Sequence, residues 1–196
     1  ALELCTVKDV HPPVPHQIAN ALAAAALARS FGVPPAAVGK GLREFQPAAH
    51  RIADVGTVNG VLYVDDSKAT NAHAADMSLR AYDSVVWIAG GLAKGQTFDD
   101  LVTRHARRLR AVVLLGADRH LIREALQRHA PDVPVVEVTG TDTGAMRDVV
   151  RAAADSAVPG DTVLLAPGCA SWDMFTDYAQ RGRTFAAAVA DLGVDD

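Results

Sequence analysis

The sequence is short of several things, and each shortage closes a class of function. It has only two cysteines in 196 residues, Cys5 and Cys169. Two thiols so far apart make no disulfide framework and suit a reducing cytoplasm, which is the expected location. Aromatic residues make up 5% of the chain, and 19 Lys and Arg face 23 Asp and Glu, for a net charge of −4. With neither a basic stripe nor a platform of stacking rings, no nucleic-acid partner is expected. The longest apolar run, ANALAAAALA, is too short and too rich in alanine to cross a bilayer, so no membrane insertion is expected. The start, ALELCTVKDV, lacks the charged and apolar regions of a signal peptide. It also lacks an initiator methionine, so the chain reads as a piece of a longer protein. There is no G-K-[ST] phosphate loop, no G-x-G-x-x-G turn, and no His or Cys spacing that suits zinc.

What is present is apolar and patterned. Hydrophobic residues make up 49% of the chain, enough for one full domain with a core and part of another. Residues 1–15 read as a short strand-like start and a Pro-rich turn. From His16 the spacing becomes helical, with Ile18, Leu22, Ala25 and Ala26 on one face, and it stops at Phe31-Gly32 ahead of Pro34. A second helix is expected over roughly 35–45, then a linker, QPAAHR. After residue 50 the texture changes. IADVGTVNGVLYVDD predicts a hairpin that turns on Asn59-Gly60. Beyond it, helical segments alternate with the apolar runs SVVWIAGG, RAVVLLGA, VPVVEV and DTVLLAPGCAS, and a last helix is expected over about 173–192. That alternation predicts an α/β fold, a mostly parallel sheet with helices on both faces.

In such a sheet ligands bind outside the carboxyl ends of the strands. Four loops sit there: DDSKATN, AGGLAKG, LGADRH and APGCASWD. Three of them carry groups suited to anions, namely Lys68, Thr70, Lys94 and Ser171, beside helix N-terminal amides. Asp66, Ser67 or Thr70 would serve as a helix cap, but a cap does not require a lysine and an asparagine as well. GGLAKG alone reads equally as a tight turn with a solvated lysine. Cys169 reads as buried and inert: His50 is a candidate base for it, but no G-x-S-x-G elbow is present. His50-Arg51 is either an exposed linker pair or a pair that reaches a nucleotide phosphate. His105, His120 and His129 read as solvated on charged helical faces, Asn20 as surface, and His16 as a helix-start residue.

Five segments in order, HQIANALAAAALA, FQPAAHR, VDDSKATN, GGLAKG and LLAPGCASWDMFTDYAQRG, resemble the Mur ligase family across nearly the whole chain. DDSKATN with CASWDMF and QRG is similar to the branch that uses D-glutamate. Sister ligases carry words such as DYAHTP or SYNANP at the first position. The resemblance implies a three-domain parent. Residues 1–46 would be the end of its central ATP-binding domain, and residues 47–196 its Rossmann-like, amino-acid-binding C-terminal domain. It implies ATP and Mg2+ as cofactors, with the Mg2+ ligands in the region upstream. The implied reaction adds D-glutamate to UDP-N-acetylmuramoyl-L-alanine through an acyl phosphate in peptidoglycan synthesis, and so serves cell-wall biogenesis, cell shape and cell division. The piece alone would be inactive, and the parent a monomer acting on small molecules.

Residue by residue, the resemblance implies that Asn20 contacts adenine and that Arg51 and Asp66 hold the nucleotide. Gln17 departs from the family's asparagine. Thr70, Lys94 and Ser171 would hold the two carboxylates of D-glutamate, with Tyr178 where the family often has phenylalanine. Lys68 would lie near the phosphate end and is the one candidate catalytic residue. No metal ligand falls in this piece. Pro47 to Arg51 would be a hinge. Three alternatives stay open: a Rossmann module of an oxidoreductase, a non-catalytic domain that binds an amino acid or nucleotide, and a sister ligase with another acceptor.

Overall fold

The computed structural model describes residues 2–193, with the side chain of His16 outside the described residues. It divides into two compact units, Ala1–Ala48 and Ala49–Asp196. In the first, a 3-10 turn at Val7–Asp9 precedes α1 (Pro15–Ser30) and α2 (Pro35–Glu44). The expected strand-like start is therefore a turn. Asp9 reaches back to the Thr6 amide and hydroxyl at 2.8 and 3.0 Å, which closes the chain on itself. α1 begins with Pro15 in its first turn and ends at Phe31, followed by Gly32 at φ +81°. Its expected apolar face is not a core face within this unit. Ala25 is buried, but Leu22 and Ala26 are exposed. An alanine-rich helix has too little contrast between its sides for spacing alone to choose one.

The second unit is built on one six-stranded sheet. Its elements run β1 (Ala53–Val58), β2 (Val61–Asp65), α3 (Ala72–Leu79), β3 (Val85–Gly90), α4 (Asp99–His105), a 3-10 turn (Ala106–Arg108), β4 (Leu109–Leu115), α5 (Arg119–His129), β5 (Val135–Glu137), α6 (Ala145–Ser156), β6 (Thr162–Leu165) and α7 (Tyr178–Leu192). The spatial order is β1-β2-β6-β3-β4-β5. β1 and β2 form the antiparallel hairpin, with Asn59 and Gly60 both left-handed as a type I′ turn requires. The other pairings between these strands are parallel.

β6, the last strand in sequence, lies between β2 and β3 and pairs Val163 with Tyr63 on one side and Val86 on the other. One face of the sheet (Tyr63, Val86, Ile88, Val113, Val163, Leu165) packs against Met146, Val149, Val150 and Phe185 of α6 and α7. The alternate residues, Trp87, Val112, Leu114 and Leu164, are equally buried, and α5 lies against β3 and β4 with Ile122, Ala125 and Leu126 turned inward. β5 departs from the expected buried strand. It is three residues long at the sheet edge and half exposed, where Pro134 and Glu137 flank its valines. α7 starts at Tyr178, not near 173, because Asp177 caps it by accepting from the Gln180 amide at 2.6 Å.

Candidate functional site

The carboxyl ends of β2, β6, β3 and β4 open into four loops that main-chain hydrogen bonds lace together. Gly168 N–H donates to Ala69 O at 2.9 Å, and Gly90 N–H donates to Pro167 O at 2.9 Å. Leu92 and Ala170 exchange a pair of bonds at 2.9 Å each. Asp118 N–H reaches Gly91 O at 3.0 Å, and Ala117 N–H reaches Asp173 Oδ2 at 2.8 Å. Such close crossing leaves no room for a side chain. A Cβ on Gly91 (φ +129°) would come closer than 3.0 Å to Ala170 O, and one on Gly116 (φ +83°) would overlap the Gly91 backbone.

The DDSKATN loop divides its side chains between structure and rim. Asp65 accepts from the Ser67 amide at 2.8 Å and from His50 Nδ1 at 2.6 Å. Asp66 is turned inward, 7% exposed, and accepts from the Ser78 hydroxyl. Burial pushes its carboxyl up to about 6, against the opposing pull of Ser78 and Ile52. Ser67 donates to Tyr178 O at 2.7 Å and accepts from Arg181 Nε at 2.9 Å. The cap of α3 is Asn71, which accepts from the Ala74 amide at 2.8 Å, and none of Asp66, Ser67 or Thr70. Lys68 and Thr70 are left half-buried at the rim. The Lys68 ammonium rests 3.9 Å from the centre of the Tyr178 ring, and His50 meets the same ring edge-on at 6.3 Å.

Across the laced loops, Lys94 is exposed and left-handed at φ +53°, an uncommon conformation for a side chain of its size. Its turn is fixed by Ala93 N–H donating to Asp118 Oδ2 at 2.8 Å. Gln96 adds a brace, donating to Ala93 O at 2.9 Å and accepting from the Ala72 amide at 2.8 Å, which ties the β3 loop to the start of α3. The Lys94 ammonium lies 3.8 Å from the centre of the Trp172 ring. Ser171 is buried beside that tryptophan. Lys68, Thr70, Lys94 and Ser171 thus belong to one connected set of loops, and Tyr178, the first residue of α7, joins it through Lys68. Arg51 is exposed, between the left-handed His50 and Ile52. Asn20 belongs to the other unit. On α1 it donates to Gln17 Oε1 at 3.4 Å, and both line a mostly apolar cavity of about 420 Å3.

Sequence reasoning missed a buried residue that ties the β2 loop to the β6 loop. Arg181 is 1% exposed. Its guanidinium donates to Ser67 Oγ and Ser67 O at 2.9 Å and to Cys169 O at 3.2 Å. Burial lowers its pKa to about 10, so it stays charged at neutral pH. The available signal was the glycine after it. Gly182 lies inside a helix, where glycine is costly, and a Cβ there would run into His50 and Asp65. Cys169 is buried, and burial raises its thiol to about 12, in keeping with the inert reading. His50 is taken by Asp65 and is no base for it. His105 corrects the solvated reading: it is buried, with Nε2 at 2.8 Å from Asp76, which Arg104 also contacts at 2.7 Å. His129 pairs with Asp99 at 2.7 Å, and His120 is exposed. Among the described residues no group of three or more His, Cys, Asp or Glu is placed to hold a metal ion, and no helix is long and apolar enough to cross a membrane.

Comparison with known proteins bears on the family and the fold. Residues 50–169 match the Mur ligase, glutamate ligase domain. A UDP-N-acetylmuramoylalanine--D-glutamate ligase of Streptomyces avermitilis is 68% identical over 193 residues, covering 98% of this chain and 41% of that protein. The protein of the same name from Thermobifida fusca is 66% identical over 192 residues, with the same coverage of 98% and 41%. The chain therefore spans about two-fifths of the length of the curated relatives it matches. Among solved structures, the UDP-N-acetylmuramate-alanine ligase MurC of Thermotoga maritima aligns with a TM-score of 0.64 at 18% identity, covering 93% of this chain and 39% of that one. A pseudomurein peptide ligase type C of Methanothermus fervidus aligns with a TM-score of 0.67 at 13% identity, covering 91% and 36%. At those identities the shared property is the fold. The matched domain, with its laced loops at the carboxyl ends of a mostly parallel sheet, makes this chain a member of the Mur ligase family.

Proposed function

We propose that the chain is the acceptor-binding part of an ATP-dependent ligase whose full-length parent joins D-glutamate to UDP-N-acetylmuramoyl-L-alanine in peptidoglycan synthesis. One observation carries the reading. Two ammonium groups, Lys68 and Lys94, stand on loops that are both bonded to the Gly168–Ala170 segment just before Ser171. A dicarboxylic amino acid needs cations and hydroxyl donors at more than one strand end, and Lys94, Thr70 and Ser171 supply them. Tyr178 offers its ring as a wall beside Lys68. The names of the relatives match this acceptor.

In the proposed reaction the terminal carboxylate of the UDP-linked substrate is phosphorylated by ATP. The acceptor amine attacks the acyl carbon, its nitrogen gives up one proton to the departing phosphate or to water, phosphate leaves with the bonding pair, and an amide remains. The amine attacks only as the free base. Nearby ammonium groups disfavour a further positive charge, so the site biases the acceptor toward that form. Lys68 is the candidate group to meet developing negative charge at the phosphate end. Arg51 would meet a nucleotide phosphate and Asn20 the adenine. Asp66 would serve the ribose only by exchanging Ser78 for a sugar hydroxyl. Mg2+ would neutralise phosphate oxygens when bound. We infer that its protein ligands lie in the part of the parent outside this chain, where the family resemblance puts them. We further infer a monomer acting in the cytoplasm, with the Pro47–Arg51 segment flexing as the parent closes on its substrates.

The test is phosphate release by the full-length parent with ATP, Mg2+ and UDP-N-acetylmuramoyl-L-alanine. D-glutamate, L-glutamate, L-lysine and D-alanyl-D-alanine are offered separately. Release with D-glutamate alone is expected. Lys94→Met should then cost about 30- to 100-fold in kcat/KM for D-glutamate, the scale of a lost charged hydrogen bond. Thr70→Ala and Ser171→Ala should each cost about tenfold. Release with another acceptor would move the specificity within the family, and release with none would overturn the reading.

A further inference from the structure

Trp172 stands out in its segment. Cys169, Ala170 and Ser171 before it are all buried, yet its own large ring is 65% exposed. Exposed tryptophan costs apolar surface and is rarely placed without a contact to make. Here the contact is the Lys94 ammonium, 3.8 Å from the ring centre. The two residues sit at matched places. Each lies two residues beyond the Leu92–Ala170 pair that locks the β3 loop to the β6 loop. The Lys94 backbone is pinned by the Ala93–Asp118 bond and by Gln96 N–H donating to Ala93 O at 3.1 Å. What remains free is the four-carbon stem, and a lysine stem is the most mobile part of any carboxylate clamp.

We propose that Trp172 is a positioning residue for the acceptor amino acid. Its indole face holds the Lys94 ammonium on the Ser171 side of the loops, so that the cation is already ordered when a carboxylate arrives between lysine and serine. The proposal rests on the reading that Lys94 receives an acceptor carboxylate. It adds that the affinity of that clamp is set partly by an aromatic face that touches no substrate atom. Pre-ordering strengthens binding without adding a contact, because less side-chain freedom is lost at the moment of binding.

The experiment uses the full-length parent and measures KM for D-glutamate, ATP and the UDP-linked substrate, together with kcat. The variants are Trp172→Leu, Trp172→Phe, Lys94→Met and the double variant Trp172→Leu/Lys94→Met. Trp172→Leu is expected to raise the D-glutamate KM about fivefold, with kcat and the other two KM values within twofold. Trp172→Phe, which keeps an aromatic face, should recover most of that loss. In the Lys94→Met background the Trp172→Leu change should add nothing, because its only route is through the lysine. An unchanged D-glutamate KM in Trp172→Leu would overturn the proposal. So would an equal loss in both backgrounds, or a joint fall in kcat with all three KM values. If Lys94→Met itself leaves the D-glutamate KM unchanged, the carboxylate site is elsewhere, and both the site reading and this proposal fall. If Lys94→Met raises it and Trp172→Leu does not, only this proposal falls.

Discussion

At the scale of single residues, the structure separates polar groups that shape the loops from those that stand ready at the rim. Asp66 belongs to the first kind, and its burial has a consequence in pH. Its carboxyl titrates at about 6 in the folded chain against 3.8 in the open. Below pH 4 both states are protonated and the group is neutral to stability. Between pH 4 and 6 the unfolded chain gives up its proton while the folded one keeps it, so stability falls as pH rises, and above 6 it levels off. At ~1.4 kcal/mol per pH unit the cost is about 3 kcal/mol. Asp66→Asn should therefore be nearly neutral at pH 4 and more stable than the unmodified chain at pH 8, as read by urea unfolding at both values. An equal effect at the two values would refute the assignment. The sequence made Asp66, Ser67 and Thr70 equally good caps because all three can accept from an amide. Tertiary packing takes two of them away from the helix, Asp66 onto Ser78 and Ser67 onto Arg181. That Lys68, Thr70, Lys94 and Ser171 lie on loops just after strands was legible, because loop position survives without knowledge of packing.

Between elements, Arg181 joins α7 to two of the loops. From α7 it reaches the main chain of the β2 loop at Ser67 and of the β6 loop at Cys169. Replacing it with methionine keeps the stem and deletes five donors, which leaves buried carbonyls without partners. Arg181→Met should cost about 2–4 kcal/mol in denaturant unfolding, and a loss below about 1 kcal/mol would mean that water replaces it freely. The elements themselves were largely readable. Continuous apolar runs marked β3, β4 and β6, and Asn-Gly marked the hairpin. The first residues were not readable as a turn, because Thr6 and Asp9 meet only through a local bond that propensity does not register. Arg181 was not readable because one arginine on an amphipathic helix looks solvated until the facing loops are known. The true start of α7 was hidden in the same way by the turn that precedes Asp177.

For the whole molecule, the two units differ in how completely they bury their own apolar residues. The second carries nearly all of the fully buried core, whereas in the first Leu22, Leu27, Phe31 and Phe45 remain exposed. Residues 49–196 expressed alone should unfold in one cooperative transition, and residues 1–48 alone should show little stable helix by circular dichroism. A non-cooperative melt of the larger piece would count against it. The strand order has a consequence for how the protein is made. The hairpin and the β3–β4–β5 half have no shared neighbour until β6 enters between them, pairing Thr162 with both Leu62 and Val85. On the ribosome a nascent chain that has emerged only as far as Asp161 lacks the strand that joins its two half-sheets, and the edges of β2 and β3 that β6 later covers are still unpaired. That interval, before the final strand leaves the exit tunnel, is when the polypeptide is most open to mispairing and to chaperones.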